Sequence, residues 1–457
     1  MGDGPPIAEV PPGPDPVPSY PLRVEPHGMT REHRSWRTKV FVATWLSYVG
    51  FYFARKPFSA AKAAIGHEMN WSATTLANIW AAYLIAYSLG QFIASYMGTK
   101  LGPRVNVLLG MCASLTVGVI CGVAHDPWVM GGLVAVNGLA QATGWSGNVA
   151  SMAGWFTKNE RGRVMGAWST NFTVGSLVST WVMAAVLNAH DPKEPEPWRW
   201  CFFVGSIVLA AIAIQFFFFQ RNKPEDVGLA ALDDPTTEKD ESKVPEQPVS
   251  TGLGGLNGTQ WTNLLLVAGF YFCAKFVRYA IWSWAPYFLQ MNYKISGSGA
   301  NLRSTLFELC GLPGVYFTGY LSDVFFKSRR SEVALIMMAG MTIATAALVL
   351  LGSTVGAGTF TVMLGAVGFT LYGPDALLSG AGAMDIGGRE RAAFATAFIS
   401  GIGSTGAVVQ EVVIGRLYDS KGGNLTPVFV MLLGSALLGT LFCIALVMRN
   451  RRGGKGI

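Results

Sequence analysis

The sequence is poor in charge. Lys, Arg, Asp and Glu make up 13% of its 457 residues, about half of the ~25% usual for a soluble domain. So few charged groups cannot cover a water-facing surface, so a soluble globular protein is excluded. Cysteine and histidine are also scarce, at six and five. Cys112, Cys121, Cys201, Cys273, Cys310 and Cys443 all fall in apolar stretches, without CxxC spacing and without clustered histidines. That excludes a disulfide framework and speaks against a metal centre; the thiols read as small buried hydrophobes. There is no Walker A loop, and the Gly401–Gly406 run lies inside an apolar segment with no strand before it. ATP-driven chemistry and a nucleotide loop are therefore not expected, and no cofactor is implied. The pattern of a cleaved signal peptide is lacking too, so the first apolar segment is expected to stay in the chain. The net charge is +7, but no basic-aromatic module accompanies it, which argues against nucleic acid.

What is abundant is apolar. Hydrophobic residues make up 51%, glycine numbers 55, and mean hydropathy is +0.37. A bilayer-crossing helix needs about 20 apolar residues. Twelve such segments are predicted near 38–56, 75–97, 105–124, 128–152, 164–187, 200–219, 262–288, 302–322, 333–352, 358–380, 392–415 and 426–448. The fold class is therefore an all-α membrane protein in two six-helix halves. Residues 1–35 form a Pro-rich tail read as disordered, 36–220 the first half, 221–260 a linker, 261–449 the second half and 450–457 a basic tail. Of 34 Lys and Arg, 23 fall in one set of alternate loops and seven, Lys62 among them, in the other. The positive-inside rule then places both termini and the linker in the cytoplasm of a plasma or inner membrane. The basic balance is a topology signal, with some residues touching anionic lipid.

Landmarks recur between the halves. Arg55 matches Arg278 at an offset of 223, and the segment starting at Ser95 matches the one starting at Gly319 at 224. Arg161-Gly162-Arg163 followed by Gly175 matches Arg389-Glu390-Arg391 followed by Gly403 at 228. Three matches in order indicate a parallel repeat, an arrangement in which transporters bind substrate between the halves near the midplane. Glycines at 132, 138, 144 and 147 read as close helix packing.

Apart from Lys39 and Arg303 at span edges, which are counted with the loops, four basic residues lie inside predicted spans: Arg55, Lys56, Lys275 and Arg278. Charge is costly there, so each is a functional candidate. Snorkelling at a helix end stays open for Arg55 and Lys56 and, less readily because it lies deeper in its span, for Arg278. Two guanidiniums, one from each half, suit a dianion that accepts forked hydrogen bonds, and phosphate fits that description. Tyr48 and Tyr52 share a helical face, and Tyr52 nearly shares it with Arg55; both are candidate donors, or core aromatics. Among the acids, Glu308 is the expected partner of Lys56. Asp375, after the helix-kinking Gly373-Pro374 pair, is a proton site or a partner of Lys275 or Arg278. Glu411 is placed near an external gate.

These residues resemble the major facilitator superfamily and, within it, the organophosphate:phosphate antiporters. The resemblance runs from about Trp36 to Arg449. It rests on Tyr48-x3-Tyr52-x2-Arg55-Lys56, Gly138-x5-Gly144-Trp145, Arg278-x5-Trp284-x-Pro286, Glu308-x2-Gly311-x-Pro313-Gly314 and Tyr372-Gly373-Pro374. It implies that Arg55 and Arg278 hold the phosphate moiety, that Lys56 pairs with Glu308, and that Tyr372 belongs with the binding residues. The chain departs from the family at Ser169, at Phe172-Thr173 in place of a His-Asn pair, and at Ser176 in place of a glycine. It departs again at Ser283 in place of a carboxylate, and at Gln91 and Thr99. The implied activity is not enzymatic: a monomer in the lipid bilayer exchanges an organophosphate for inorganic phosphate. Proton-coupled symport of an organic anion and a transporter-like sensor are the alternatives.

Overall fold

The computed structural model describes residues 29–156, 164–189, 197–230, 256–326, 329–351 and 356–451. The expected tails beyond these limits, most of the linker and the Arg161–Arg163 landmark lie outside the described residues. Among the described residues, twelve helical segments follow one another, one of them in two pieces. The first six are α1 (Arg31–Glu68), α2 (Ala73–Leu101), α3 (Pro103–Cys121), α4 (Pro127–Trp155), α5 (Thr170–Ala189) and α6 (Trp198–Phe219). Then come α7 (Gly258–Met291), α8 in two pieces (Gly297–Ser304 and Leu306–Tyr320), α9 (Arg330–Leu351), α10 (Ala357–Ala376), α11 (Ala383–Ser420) and α12 (Thr426–Arg451).

The helix starts follow local chemistry. Thr30 caps α1 by accepting from the His33 N–H, while the His33 ring accepts from the Thr30 N–H. Thus residues 31–35, expected in the tail, already belong to α1. Asn257 and Gln260 cap α7 in the same reciprocal way, and Asp126 followed by Pro127 opens α4. Such caps satisfy the orphan N–H groups of a first turn.

Nine helical stretches among the described residues are long and apolar enough to cross a bilayer. The three segments that fall short of the expected twelve are α1, α4 and α8. Arg55, Lys56 and Lys62 dilute α1, glycine with Asn137, Gln141 and Asn148 dilutes α4, and α8 is divided at Thr305. These same helices supply many of the buried polar side chains. On the outside, Trp128, Ile343 and Leu350 are largely exposed, as a lipid-facing surface requires and a soluble one would not tolerate.

Helix contacts repeat with a period of six. The pairs α1–α5, α1–α6, α2–α4, α3–α4 and α3–α6 recur as α7–α11, α7–α12, α8–α10, α9–α10 and α9–α12. The halves meet through α1–α7, α2–α11 and α5–α8. Hydrogen bonds between them cluster away from the end that carries Arg31 and Arg451. Asp419 of α11 accepts from the Ala73 and Thr74 N–H groups at 3.1 and 2.7 Å, capping α2. The Asn301 amide donates to the Ala60 carbonyl at 2.9 Å. Toward the termini α2 and α11 diverge around a cleft of about 890 Å³ lined by Leu89, Phe92, Ser400 and Ser404.

Pro57 and Pro374 behave differently from each other. Helix α1 runs through Pro57 to Glu68 instead of ending near 56. Pro57 cannot donate to the Phe53 carbonyl, and the backbone of α6 approaches that carbonyl at Gly205, where any Cβ would collide with it. Pro374 does disturb α10, which passes into a π-helical stretch at Leu377–Gly382 before α11 begins. Such widened turns are frequent at functional sites.

Candidate functional site

A cavity of about 60 Å³ lies where the halves meet, lined by Tyr52 and Arg55 of α1, Tyr83 and Tyr87 of α2, Ser176 of α5, Arg278, Tyr279 and Trp282 of α7, Glu308 of α8 and Tyr372 of α10. The two repeat-related arginines therefore line one cavity from opposite sides of the interface. Of the expected site residues, Arg55, Arg278, Tyr52, Tyr372 and Glu308 line it; Tyr48, Lys56, Lys275, Asp375 and Glu411 stand behind or away from it.

Arg55 is surrounded by neutral groups. Its Nε donates to Gln141 Oε1 at 3.0 Å, and its guanidinium lies 4.8, 5.1 and 5.7 Å from the ring centres of Tyr52, Tyr87 and Tyr83. The Tyr83 hydroxyl donates to the same Gln141 oxygen at 2.9 Å. Gln141 is held in turn by Asn137, which it reaches at 3.0 Å and which donates to the Ala54 carbonyl. The amide chain fixes one edge of the guanidinium, while the buried Nη2 has no hydrogen-bond partner. An orphaned buried donor is costly, and a charged one in a cavity wall is suited to an anion. Tyr48 is not part of that wall. It packs against Tyr52, Trp145 and Trp168 with ring centres 5.9, 5.3 and 6.0 Å apart, so the expected hydrogen bond from Tyr48 to an anion gives way to aromatic packing.

Arg278 has a carboxylate partner. Asp375 Oδ2 lies 2.5 Å from its Nη1, and the Tyr372 ring lies 4.4 Å from the guanidinium carbon. Gly311 of α8 allows the Tyr372 ring its position, since a Cβ there would come within 2.7 Å of it. Of the partners left open for Asp375, the structure selects Arg278 over Lys275. The Lys275 ammonium sits instead between the rings of Tyr271 and Tyr279, at 5.2 and 5.1 Å.

The expected Lys56–Glu308 ion pair is not made. Lys56 Nζ lies 3.8 Å over the Trp282 ring, and the Trp282 indole N–H is 3.1 Å from Glu308 Oε1. The indole thus stands between ammonium and carboxylate, presenting its negative face to one and its N–H to the other. Ser176, which replaces a family glycine, donates to the same Glu308 oxygen at 2.5 Å across the interface. The Trp282 ring also stacks on Trp80 of the first half, 6.1 Å away.

Glu411 faces neither loop nor cavity. It forms a fully buried ion pair with Lys62 at 2.6 Å, joining α11 to α1 beyond the cavity. Ser283 completes the group, accepting from Lys62 at 2.8 Å and donating to Glu411 at 3.2 Å. The Trp284 ring lies 3.9 Å from Lys62 Nζ. Lys62, counted above as a loop residue, is fully buried within the helix bundle because α1 continues past Pro57. Sequence reasoning also missed Gln141, Ser176, Tyr83, Tyr87 and Trp282. The four-residue Tyr83–Tyr87 spacing, the same as Tyr48–Tyr52, was an available signal. Among the described residues no group of three or more His, Cys, Asp or Glu side chains is placed to hold a metal ion.

Comparison with known proteins agrees with this geometry. A family model described as Major Facilitator Superfamily matches residues 40–271. The chain is 27% identical over 435 residues to the glycerol-3-phosphate transporter of Bacillus subtilis (strain 168), covering 92% of this chain and 94% of that one. It is 26% identical over 471 residues to sugar phosphate exchanger 3 of Mus musculus, covering 90% and 92%. Among solved structures, a bacterial homolog of the human lysosomal transporter Spinster, in an inward-facing and occupied conformation, superposes with a TM-score of 0.66 at 15% identity, over 91% of this chain and 96% of that one.

Proposed function

The chain belongs to the Major Facilitator Superfamily, and from that premise we propose that it is a secondary transporter exchanging a phosphorylated organic anion for inorganic phosphate. The observation that carries this reading is the pair of arginines, one from each half, lining a single cavity. Its two closely matching relatives named above are a glycerol-3-phosphate transporter and a sugar phosphate exchanger.

The chemistry follows from charge. Around the cavity stand four cations, Arg55, Lys56, Lys275 and Arg278, and two carboxylates, Glu308 and Asp375. Two positive charges are left over, matching a phosphate dianion. The free edge of Arg55 takes phosphate oxygens through charge-assisted hydrogen bonds. Arg278 approaches the same group from the other half, so the ligand ties the halves together across the rocking interface. The excess positive charge disfavours closing the halves around an unfilled site, and the dianion removes that penalty. The ligand drives the change only through its different affinity for the two arrangements, which makes exchange faster than net flux. Tyr83, Tyr87, Glu308 and Ser176 are available to the organic remainder through hydrogen bonds.

The excess of Lys and Arg in the loops at the end carrying the termini supports placing that end in the cytoplasm, and the cleft between α2 and α11 lies toward that end. The arrangement thus corresponds to a cytoplasm-facing state of a plasma or inner membrane protein. A proton-coupled cycle is the second reading, favoured by the buried Asp375 carboxylate, whose Oδ1 lacks a hydrogen-bond partner.

Proteoliposomes loaded with phosphate test the reading. Labelled external phosphate should exchange, and glycerol phosphate or a hexose phosphate should compete while unphosphorylated anions do not. If no phosphate compound exchanges or competes, the reading fails. Uptake driven by a pH gradient alone, with no internal phosphate, would select the proton-coupled cycle.

A further inference from the structure

We infer that Asp375 is a tethered competitor of the substrate for Arg278, and that it sets how weakly the site holds a phosphate group. The inference rests on the exchange reading above and adds a specificity-determining residue to it.

One helix, α10, brings both partners to Arg278: the Tyr372 ring beneath the guanidinium and, three residues on, the Asp375 carboxylate at its edge. A carboxylate serving only to hold an arginine in place is best used as a fork, with two parallel hydrogen bonds. Asp375 uses one oxygen, and Oδ1 is buried without a hydrogen-bond partner. The Arg278 side chain keeps 21% of its surface exposed and lines the cavity, while that of Asp375 keeps 7%. A phosphate oxygen entering the cavity therefore meets a guanidinium already occupied by an anion of similar hydrogen-bonding chemistry. The backbone next to Asp375 is irregular: Pro374 precedes it, and the π-helical Leu377–Gly382 stretch follows. A widened turn gives the carboxylate freedom to withdraw when phosphate takes its place. The repeat-related Arg55 shows the alternative, since its partner Gln141 is neutral and leaves its charge uncompensated.

The consequence is a lowered apparent affinity. A ligand that needs a partner free only part of the time binds more weakly by that fraction. For an exchanger this is useful, because a site gripping phosphate with two uncompensated arginines would release it slowly.

The test is equilibrium binding of labelled inorganic phosphate to the purified full chain, paired with exchange rates in proteoliposomes. Asp375→Asn should bind phosphate about tenfold more tightly and exchange it more slowly. Asp375→Glu, which keeps the competing charge, should stay close to the unaltered protein. Should Asp375→Asn not yield folded protein, Asp375→Ser makes the same comparison. Equal or weaker binding by the neutral variants would overturn the inference and make Asp375 a positioning residue that holds Arg278. Failure of the unaltered chain to bind any phosphate compound would instead defeat the exchange reading itself.

Discussion

Arg55 and Arg278 occupy equivalent places in the two halves, yet they are held in opposite ways. Arg55 is fixed by an amide and three tyrosine rings, so its charge is undiminished and one donor nitrogen is unpartnered. Arg278 is neutralised by a carboxylate from its own half. The difference teaches that the pseudo-symmetric clamp is not symmetric in energy. In the proposed exchange cycle the first half supplies the standing anion site, and the second half joins when the ligand draws Arg278 away from Asp375. Binding is thereby split into an anchoring contact and a recruiting contact, and the second one links occupancy to movement of the halves.

The comparison can be broken or sharpened by substitution. The largest effect lies at the closed end that keeps both arginines facing one cavity. Glu411→Ala leaves Lys62 buried and unpaired, at about 3–5 kcal/mol. Introduced cysteines near Ala60 and Asn301 should become reactive, and replacing the pair together by Lys62→Met and Glu411→Leu should restore most of the protection. Next is Arg55→Ala, expected to weaken phosphate binding by about 100-fold, from loss of ~3 kcal/mol of charge-assisted bonding. Arg55→Lys should not rescue it, because an ammonium lacks the fork. Replacing the pair together by Arg278→Ala and Asp375→Asn, which leaves no carboxylate unpaired, should cost less, about 30-fold, since Asp375 already offsets part of the Arg278 charge. If this double variant and Arg55→Ala lose equal affinity, the asymmetry is absent. The smallest effect is that of Gln141→Ala, about fivefold, because it removes one neutral support of ~1 kcal/mol; a titration with labelled phosphate resolves it.

How much of this was legible in the sequence depends on the kind of residue. Arg55, Arg278 and Glu308 stood out because charge within apolar segments is rare and costly, and the repeat offset paired the arginines before any coordinates. Neutral groups carry no such flag, so Gln141 was passed over within a glycine-rich segment, although it orients Arg55. Lys62 was missed for a different reason. Its helix was ended at Pro57, but a proline in mid-helix is tolerated where a neighbouring backbone packs against the freed carbonyl, as Gly205 allows here. The Lys56–Glu308 pairing failed because an indole fills the space between them, a matter of packing that spacing does not reveal. The departures from the family pattern became intelligible only in three dimensions. Ser176 donates to Glu308 across the interface, and Ser283 sits within the Lys62–Glu411 pair.

The most direct measurement uses arsenate, a phosphate mimic whose arsenic scatters anomalously, in crystals of the full chain. The arsenic peak should lie between Arg55 and Arg278, within hydrogen-bonding reach of both guanidiniums, and should vanish in Arg55→Ala. A peak at another site, or one that persists there in Arg55→Ala, would contradict a phosphate clamp built from the two halves.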